Sequence, residues 1–173
     1  MSGASQVLVR MARTGDLLSM IENFQAVASE GIYLATETVT EDQKKRMEKL
    51  VIAGNGKSEL SIVADIQGKV VGGLTLYKYG ELSKTRHIRG LGGMLVIKEY
   101  RGQGIGSALM TYAVAWATKH PDIEKINLEV FSTDKQAIQL YQKFGFQFEG
   151  VRKKQFKIRG EYVDEVSMGL FVK

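Results

Sequence analysis

A short stretch near the middle of the chain, Glu99-Tyr-Arg-Gly-Gln-Gly-Ile-Gly-Ser-Ala-Leu109, sets the strongest constraint on the fold. Gly102, Gly104 and Gly106 alternate directly behind an apolar, strand-like run and just ahead of a helical pattern. Glycine inside a helix costs about 1 kcal/mol against alanine, so three at a helix start need a physical reason. Two readings fit. The backbone turns sharply and packs helix against strand, or a ligand comes very close to it. In the second reading the unpaired N–H groups of the helix start and the helix dipole make an anion site.

The rest of the chain supplies a frame for such a unit. The 173 residues suit one domain spanning 1–173, and 44% hydrophobic with 25% charged residues is ordinary for a globular protein. There are no cysteines and only two histidines, His87 and His120, so neither disulfides nor a dedicated zinc site is expected. No apolar run approaches the ~18 residues of a membrane span, and the N-terminal residues lack a signal-peptide core, so a cytoplasmic location is expected. The net charge of +5 favours anionic ligands without selecting nucleic acid. The basic run over 152–159 reads as a solvated strand face, and acidic residues follow it at once.

Hydrophobic periodicity predicts strands at 6–12, 59–66, 69–79, 87–97, 126–131, 145–158 and 161–173. Helices are expected from 17 to 29, with Thr14 or Asp16 as cap, and from 40, where Thr40 and Gln43 form a capping box. A third helix follows the glycine loop, with Ile105, Leu109, Ala113, Trp116 and Ala117 on its apolar face, and Pro121 closes it. A fourth runs over 134–144 and stops at Gly145. The fold class is therefore α/β, a mixed sheet with helices packed on it.

The loop does not match the common phosphate signatures. A dinucleotide fingerprint would need glycine at Ser107, and no lysine follows Gly106 as a nucleotide-hydrolase loop requires. The Gly-Lys-Ser at 56–58 leaves a helix for a strand, the reverse of what that loop needs. A pyrophosphate held by backbone donors alone is the remaining anion.

Arg101-Gly-Gln-Gly-Ile-Gly106 resembles motif A of the GNAT superfamily of N-acetyltransferases, [RQ]-x-x-G-x-[GA]. The segment Leu128 to Phe146, with its A-x-x-L-Y-x-K-x-G-F, resembles motif B in the right order and spacing. The resemblance covers about residues 90 to 148. It implies a central, mostly antiparallel sheet with splayed strands and flanking helices. It implies acetyl-CoA as co-substrate, no metal, and direct transfer to the primary amine of a small molecule or a protein N-terminus. It implies no nucleic-acid or membrane partner and leaves room for a homodimer. The pyrophosphate would lie on Arg101, Gly102, Gln103, Gly104, Ile105, Gly106 and Ser107, and the pantetheine arm beside Met94, Leu95 and Val96. A backbone N–H near Met94 would polarise the thioester.

Tyr141 matches the motif-B tyrosine, the acid for the departing sulfur; read without the family it is a core residue. Some branches carry a glutamate on the strand before the loop, where this chain has Gly90. The branch similar to bacterial ribosomal-protein alanine acetyltransferases uses the glutamate of an L-E-V strand, here Glu129, and base catalysis through ordered water is the alternative. Asp134 stands where motif B usually begins with asparagine, and Lys143 would offset its charge or meet phosphate. Glu30, Tyr33, Glu37, Asp164 and Glu165 are expected near the acceptor amine. Two other functions compete: a CoA-binding sensor without turnover, and an RNA-binding module using 152–159.

Overall fold

The computed structural model describes residues 6–80 and 82–173, and for 53 and 54 the backbone only. In chain order the elements are β1 (Leu8–Met11), α1 (Leu17–Ala28), α2 (Glu41–Lys49), β2 (Leu60–Ile66), β3 (Lys69–Lys78) and β4 (Ile88–Val96). There follow α3 (Ile105–Lys119), β5 (Lys125–Phe131), α4 (Lys135–Lys143), β6 (Gln147–Ile158) and β7 (Glu161–Phe171). The expected order of strands and helices is reproduced, with several ends trimmed by one or two residues and β5 starting one residue earlier. One sheet holds all seven strands in the order β1-β2-β3-β4-β5-β7-β6. Every neighbouring pair is antiparallel except β4 and β5.

Both hairpins turn on two residues at positive φ, Gln67-Gly68 and Arg159-Gly160. That geometry matches the twist of the strands it joins. The α2 capping box forms as expected, Thr40 accepting from the Gln43 N–H at 3.2 Å and Gln43 accepting from the Thr40 N–H at 2.8 Å. α2 continues as a π turn over Leu50–Gly54, which buries Leu50 and Val51.

The cap of α1 differs from expectation. Asp16 holds the cap position without capping; its carboxylate accepts from the Arg13 N–H at 2.7 Å and from Arg10 at 2.7 and 2.9 Å. Arg10 also donates to Asp65 at 2.8 Å. A two-pronged guanidinium bond outweighs a neutral cap, and it holds Asp16 below the ordinary carboxylate range.

The main core lies between the sheet and α3 with α4. Leu109, Met110, Ala113 and Ala117 of α3 are fully buried against Leu60, Ile62, Leu74, Leu76, Ile126, Leu128 and Met168. Trp116 sits at the edge of that stripe, half-buried, with its ring 5.1 Å from His120; Met110 takes the central place instead. On the opposite face a smaller cluster of Ala12, Val51, Val63 and Val70 packs with Leu17 and Met20 of α1. Both faces of the sheet centre are therefore covered, with α1 and α2 on one side and α3 and α4 on the other.

Leu109→Ala deletes a buried side chain at the middle of α3 and should cost about 2–5 kcal/mol. A urea titration of wild type and variant should show the midpoint fall, with the slope little changed.

Candidate active site

The site begins where the parallel pair comes apart. β4 and β5 are in register only at Ile88–Lys125, Arg89–Ile126 and Gly90–Asn127. Beyond Gly90 they diverge, and a cleft of 320 Å³ opens between them. β4 is distorted at the same place. Thr75 pairs with Gly92 and Gly73 with Leu95, so Gly93 and Met94 face a single β3 residue. Gly93 takes φ +58, the left-handed state that such a bulge asks of its first residue. The bulge is therefore centred on Gly93 and Met94. The β4 backbone over 91–96 turns its outer edge to the cleft instead of to β5.

The three loop glycines have two different jobs. Gly102 and Gly104 lie at φ +73 and +80, and a β-carbon built on either would meet nothing within 4 Å. Their reason is backbone conformation, and the space over them is open to a ligand. Gly106 has ordinary φ, and its β-carbon would lie 3.2 Å from Leu140 and 3.4 Å from Met94. Its reason is close packing of α3 against α4 and β4. Packing accounts for Gly106, and backbone conformation for Gly102 and Gly104. The first turn of α3 thus presents unpaired N–H groups beside two open glycines, which suits a pyrophosphate held by main-chain donors.

Met94, Leu95, Val96, Arg101, Gly102, Gly104, Ile105, Gly106, Asp134, Glu129 and Tyr141 line this one cleft. Gln103, Ser107 and Lys143 are outside the lining. The Gln103 side chain donates back to the Glu99 carbonyl, and Lys143 is exposed in the last turn of α4. Asp134 caps α4, its Oδ1 accepting from the Ala137 N–H at 3.0 Å. The capping function of the usual asparagine is kept by the carboxylate.

The Arg101 guanidinium is turned away from the loop. It donates to both Glu30 oxygens, at 2.8 Å through Nη1, and through Nε to the Val96 carbonyl at 2.8 Å, and it lies 4.8 Å from the Tyr33 ring. Glu30 is thereby pulled below the usual glutamate range. The chain after α1 is tied to the glycine loop by this contact. Gln25 clasps its far end, donating to the Glu37 carbonyl at 3.2 Å and accepting from the Val39 N–H at 2.9 Å.

Two other acidic residues expected to meet an amine, Glu165 and Asp164, also have partners. Glu165 lines the cleft but is paired with Arg152, and Asp164 holds Lys153 at 2.8 Å. Of the remaining basic residues in 152–159, Lys154 and Lys157 lie over the Tyr162 ring, at 5.2 and 5.5 Å. Arg159 donates to the Glu30 carbonyl.

Two phenols attend Glu129. The Tyr79 hydroxyl donates to its Oε1 at 3.2 Å, and the carboxylate charge raises the tyrosine pKa. Tyr77 is raised first by burial and then by the same charge. Its ring covers the strand at Gly90 and Gly92; a β-carbon at Gly90 would lie 2.7 Å from the Tyr77 hydroxyl. The strand position that carries a glutamate in other branches is thus filled here by an aromatic ring. Sequence reasoning passed over Tyr77 and Tyr79, although alternation in Leu74–Tyr79 already put both opposite the buried Leu74 and Leu76. Tyr141 is buried, its ring 5.8 Å from that of Phe146, and burial followed by the Asp134 charge pushes its pKa well up. It is both a core residue and a wall of the cleft.

Splay, bulge and loop together make a cleft with a free strand edge and open main chain, and comparison with known proteins gives the class, an acyltransferase, and the family. A model of the acetyltransferase (GNAT) family matches residues 26–146. The L-amino acid N-acetyltransferase AaaT of Escherichia coli (strain K12) is 30% identical over 164 residues, 95% of this chain and 97% of that protein. A spermidine N(1)-acetyltransferase of Vibrio cholerae is 24% identical over 162 residues, 92% of this chain and 90% of that one. Among solved structures, a phosphinothricin acetyltransferase of Sinorhizobium meliloti in complex with AcCoA shares the fold with a TM-score of 0.84 and 24% identity, over 95% of this chain and 88% of that one. The chain belongs to the GNAT acetyltransferase family.

The tie between Arg101 and Glu30 gives a pH dependence. Because the folded-state pKa of Glu30 is depressed, its contribution is present above the unfolded value and is lost as pH falls through the folded one. Exchange of the hydrogen-bonded Gly31 and Val39 amides, read as protection factors so that its intrinsic pH dependence is removed, should stay slow from neutrality to below the ordinary glutamate pKa and speed up only on further acidification. In Glu30→Gln the fast exchange should already be present at neutral pH.

Proposed function

We propose that this chain transfers the acetyl group of acetyl-CoA to the primary amine of a small molecule or peptide, with Tyr141 and Glu129 as its catalytic residues. The observation that carries the reading is the meeting of three things in one cleft. They are open left-handed glycines at a helix start, a bulged strand edge at Gly93–Met94, and a carboxylate and a phenol in the same lining. The residues suit such a co-substrate: Gly102 and Gly104 leave room at the main chain for the pyrophosphate, and the free edge of β4 over 94–96 is an extended backbone for the pantetheine amides. When bound, the thioester supplies an activated acyl carbon.

The chain's own groups do the rest. The Met94 N–H polarises the carbonyl, and a main-chain donor so placed acts most strongly as charge develops on oxygen. Glu129 takes one proton from the incoming ammonium, and Tyr79 holds the carboxylate in place. The C–N bond forms as the C–S bond breaks, and the second amine proton replaces the one that Tyr141 gives to sulfur. The balance is an amide, a free thiol and one proton released to solvent. A tyrosine with its pKa raised by burial is fully protonated at neutral pH, the state a donor to a developing thiolate needs.

The test is consumption of acetyl-CoA with amino acids, polyamines, aminoglycosides and peptides offered in turn, beside calorimetry of acetyl-CoA alone. Turnover with at least one amine class supports the enzyme. Binding without turnover would support a CoA sensor instead.

Tyr141→Phe removes one hydroxyl and keeps the ring against Phe146. The turnover number kcat should drop by ~10²–10⁴, while acetyl-CoA affinity and Tm change little. Wild-type kcat in that variant would return Tyr141 to a packing role.

Gly104→Asp and Gly104→Asn both tolerate left-handed backbone better than other side chains, and differ by one negative charge. Acetyl-CoA should bind the aspartate variant about tenfold or more weakly than the asparagine variant, the gap narrowing in high salt. Equal affinities would remove the pyrophosphate from this loop.

A further inference from the structure

A second pocket, of 180 Å³, lies against the α1–α2 side of β4 and adjoins the cleft at the bulge, since Gly92 and Gly93 line both. Its apolar wall is Phe24, Met47 and Leu50, and β3 contributes Thr75 and Tyr77. One cation reaches it. Arg46 of α2 lies over the Tyr77 ring, 4.8 Å from its centroid, and has no ion-pair partner among the described residues.

The charges around Tyr77 form a pattern. Arg46 covers the face of the ring, and the Glu129 carboxylate, held by the Tyr79 hydroxyl at 3.2 Å, lines the adjoining cleft. An α-amino acid carries the opposite charges, an ammonium and a carboxylate one carbon apart. A polyamine carries cations only. It would set one of them against Arg46, and it would find Glu30, Glu165 and Asp164 already paired. The apolar wall suits an aliphatic or thioether side chain better than a charged one.

We propose that the acceptor is a free α-amino acid with an apolar side chain, its carboxylate held by Arg46 and its side chain among Phe24, Met47 and Leu50. This rests on the acetyltransferase reading and adds a substrate class and a specificity-determining residue to it. The amine then reaches the cleft past Gly92 and Gly93, where Glu129 is placed to take its proton.

The experiment is steady-state kinetics with acetyl-CoA and three acceptors: leucine, leucinamide and spermidine. Leucine should exceed leucinamide in kcat/KM by about tenfold or more, the usual weight of a charge-assisted hydrogen bond. In Arg46→Gln that ratio should collapse toward one, mainly through KM for leucine, and in Arg46→Lys it should partly return. Arg46 is exposed on α2 and glutamine is a good helix former, so both variants should fold. A packing role for Arg46 would lower both substrates alike and leave the ratio unchanged, which overturns the assignment. Reaction of spermidine or leucinamide in preference to leucine overturns the substrate class and leaves the acetyltransferase standing. Failure of every amine to draw acetyl from acetyl-CoA overturns both.

Discussion

The parallel pair of β4 and β5 holds for three residue pairs and then gives way, and the whole site depends on that parting. Two strands can separate inside a sheet only if each keeps another neighbour. β5 does so through seven register pairs with β7, and β4 stays on β3 at both ends of its bulge. The closed end of the wedge is fixed by a buried Arg89, whose guanidinium donates to the carbonyls of Ser58, Arg86 and Ile88. Among the described residues that arginine is bonded to carbonyls and to no carboxylate, and burial lowers its pKa. It ties the start of β4 and the turn before it to the loop ahead of β2, beside the register pairs where β4 and β5 are still joined.

The cleft is electrostatically quieter than its composition suggests. Three carboxylates near it are each met by a cation: Glu30 by Arg101, far along the chain, and Asp164 and Glu165 by Lys153 and Arg152 of the facing hairpin strand. Of the charged residues in the lining, Glu129 and Asp134 have no ion partner among the described residues, and Asp134 is engaged as a helix cap; Arg46, in the adjoining pocket, has none either. Pairing in this way removes the general attraction for cations and leaves a small number of groups to discriminate. The basic strand β6 follows the same logic: its cations meet acids and an aromatic ring of β7.

Local physics was readable in the sequence, and distant partnership was not. The strands and helices, the two tight hairpins and the Thr40 box follow from periodicity and turn chemistry over a few residues. The open glycines at 102 and 104 could be singled out because few other residues take that conformation. The assignment of Gly106 to packing needed the position of Leu140, which only the fold supplies. Arg101 was read as a loop residue for the ligand, while its side chain serves Glu30, 71 positions away. Asp16 was read as a cap because caps are local; the stronger claim of Arg10, itself drawn to Asp65, is a property of the assembled sheet. Likewise, nothing in Gly90 alone shows that Tyr77 of the next strand fills the space above it.

The segment after α1 is fastened at two places, by Glu30 and Tyr33 on Arg101 and by the clasp of Gln25 on Glu37 and Val39. Between the fasteners, residues 34–36 are free of both, and Leu34 lines the cleft. Such an arrangement separates inheritance from innovation. Substitutions or short insertions between the two fasteners reshape the wall of the cleft while the hinges of the segment, and the glycine loop bonded to one of them, stay where they are.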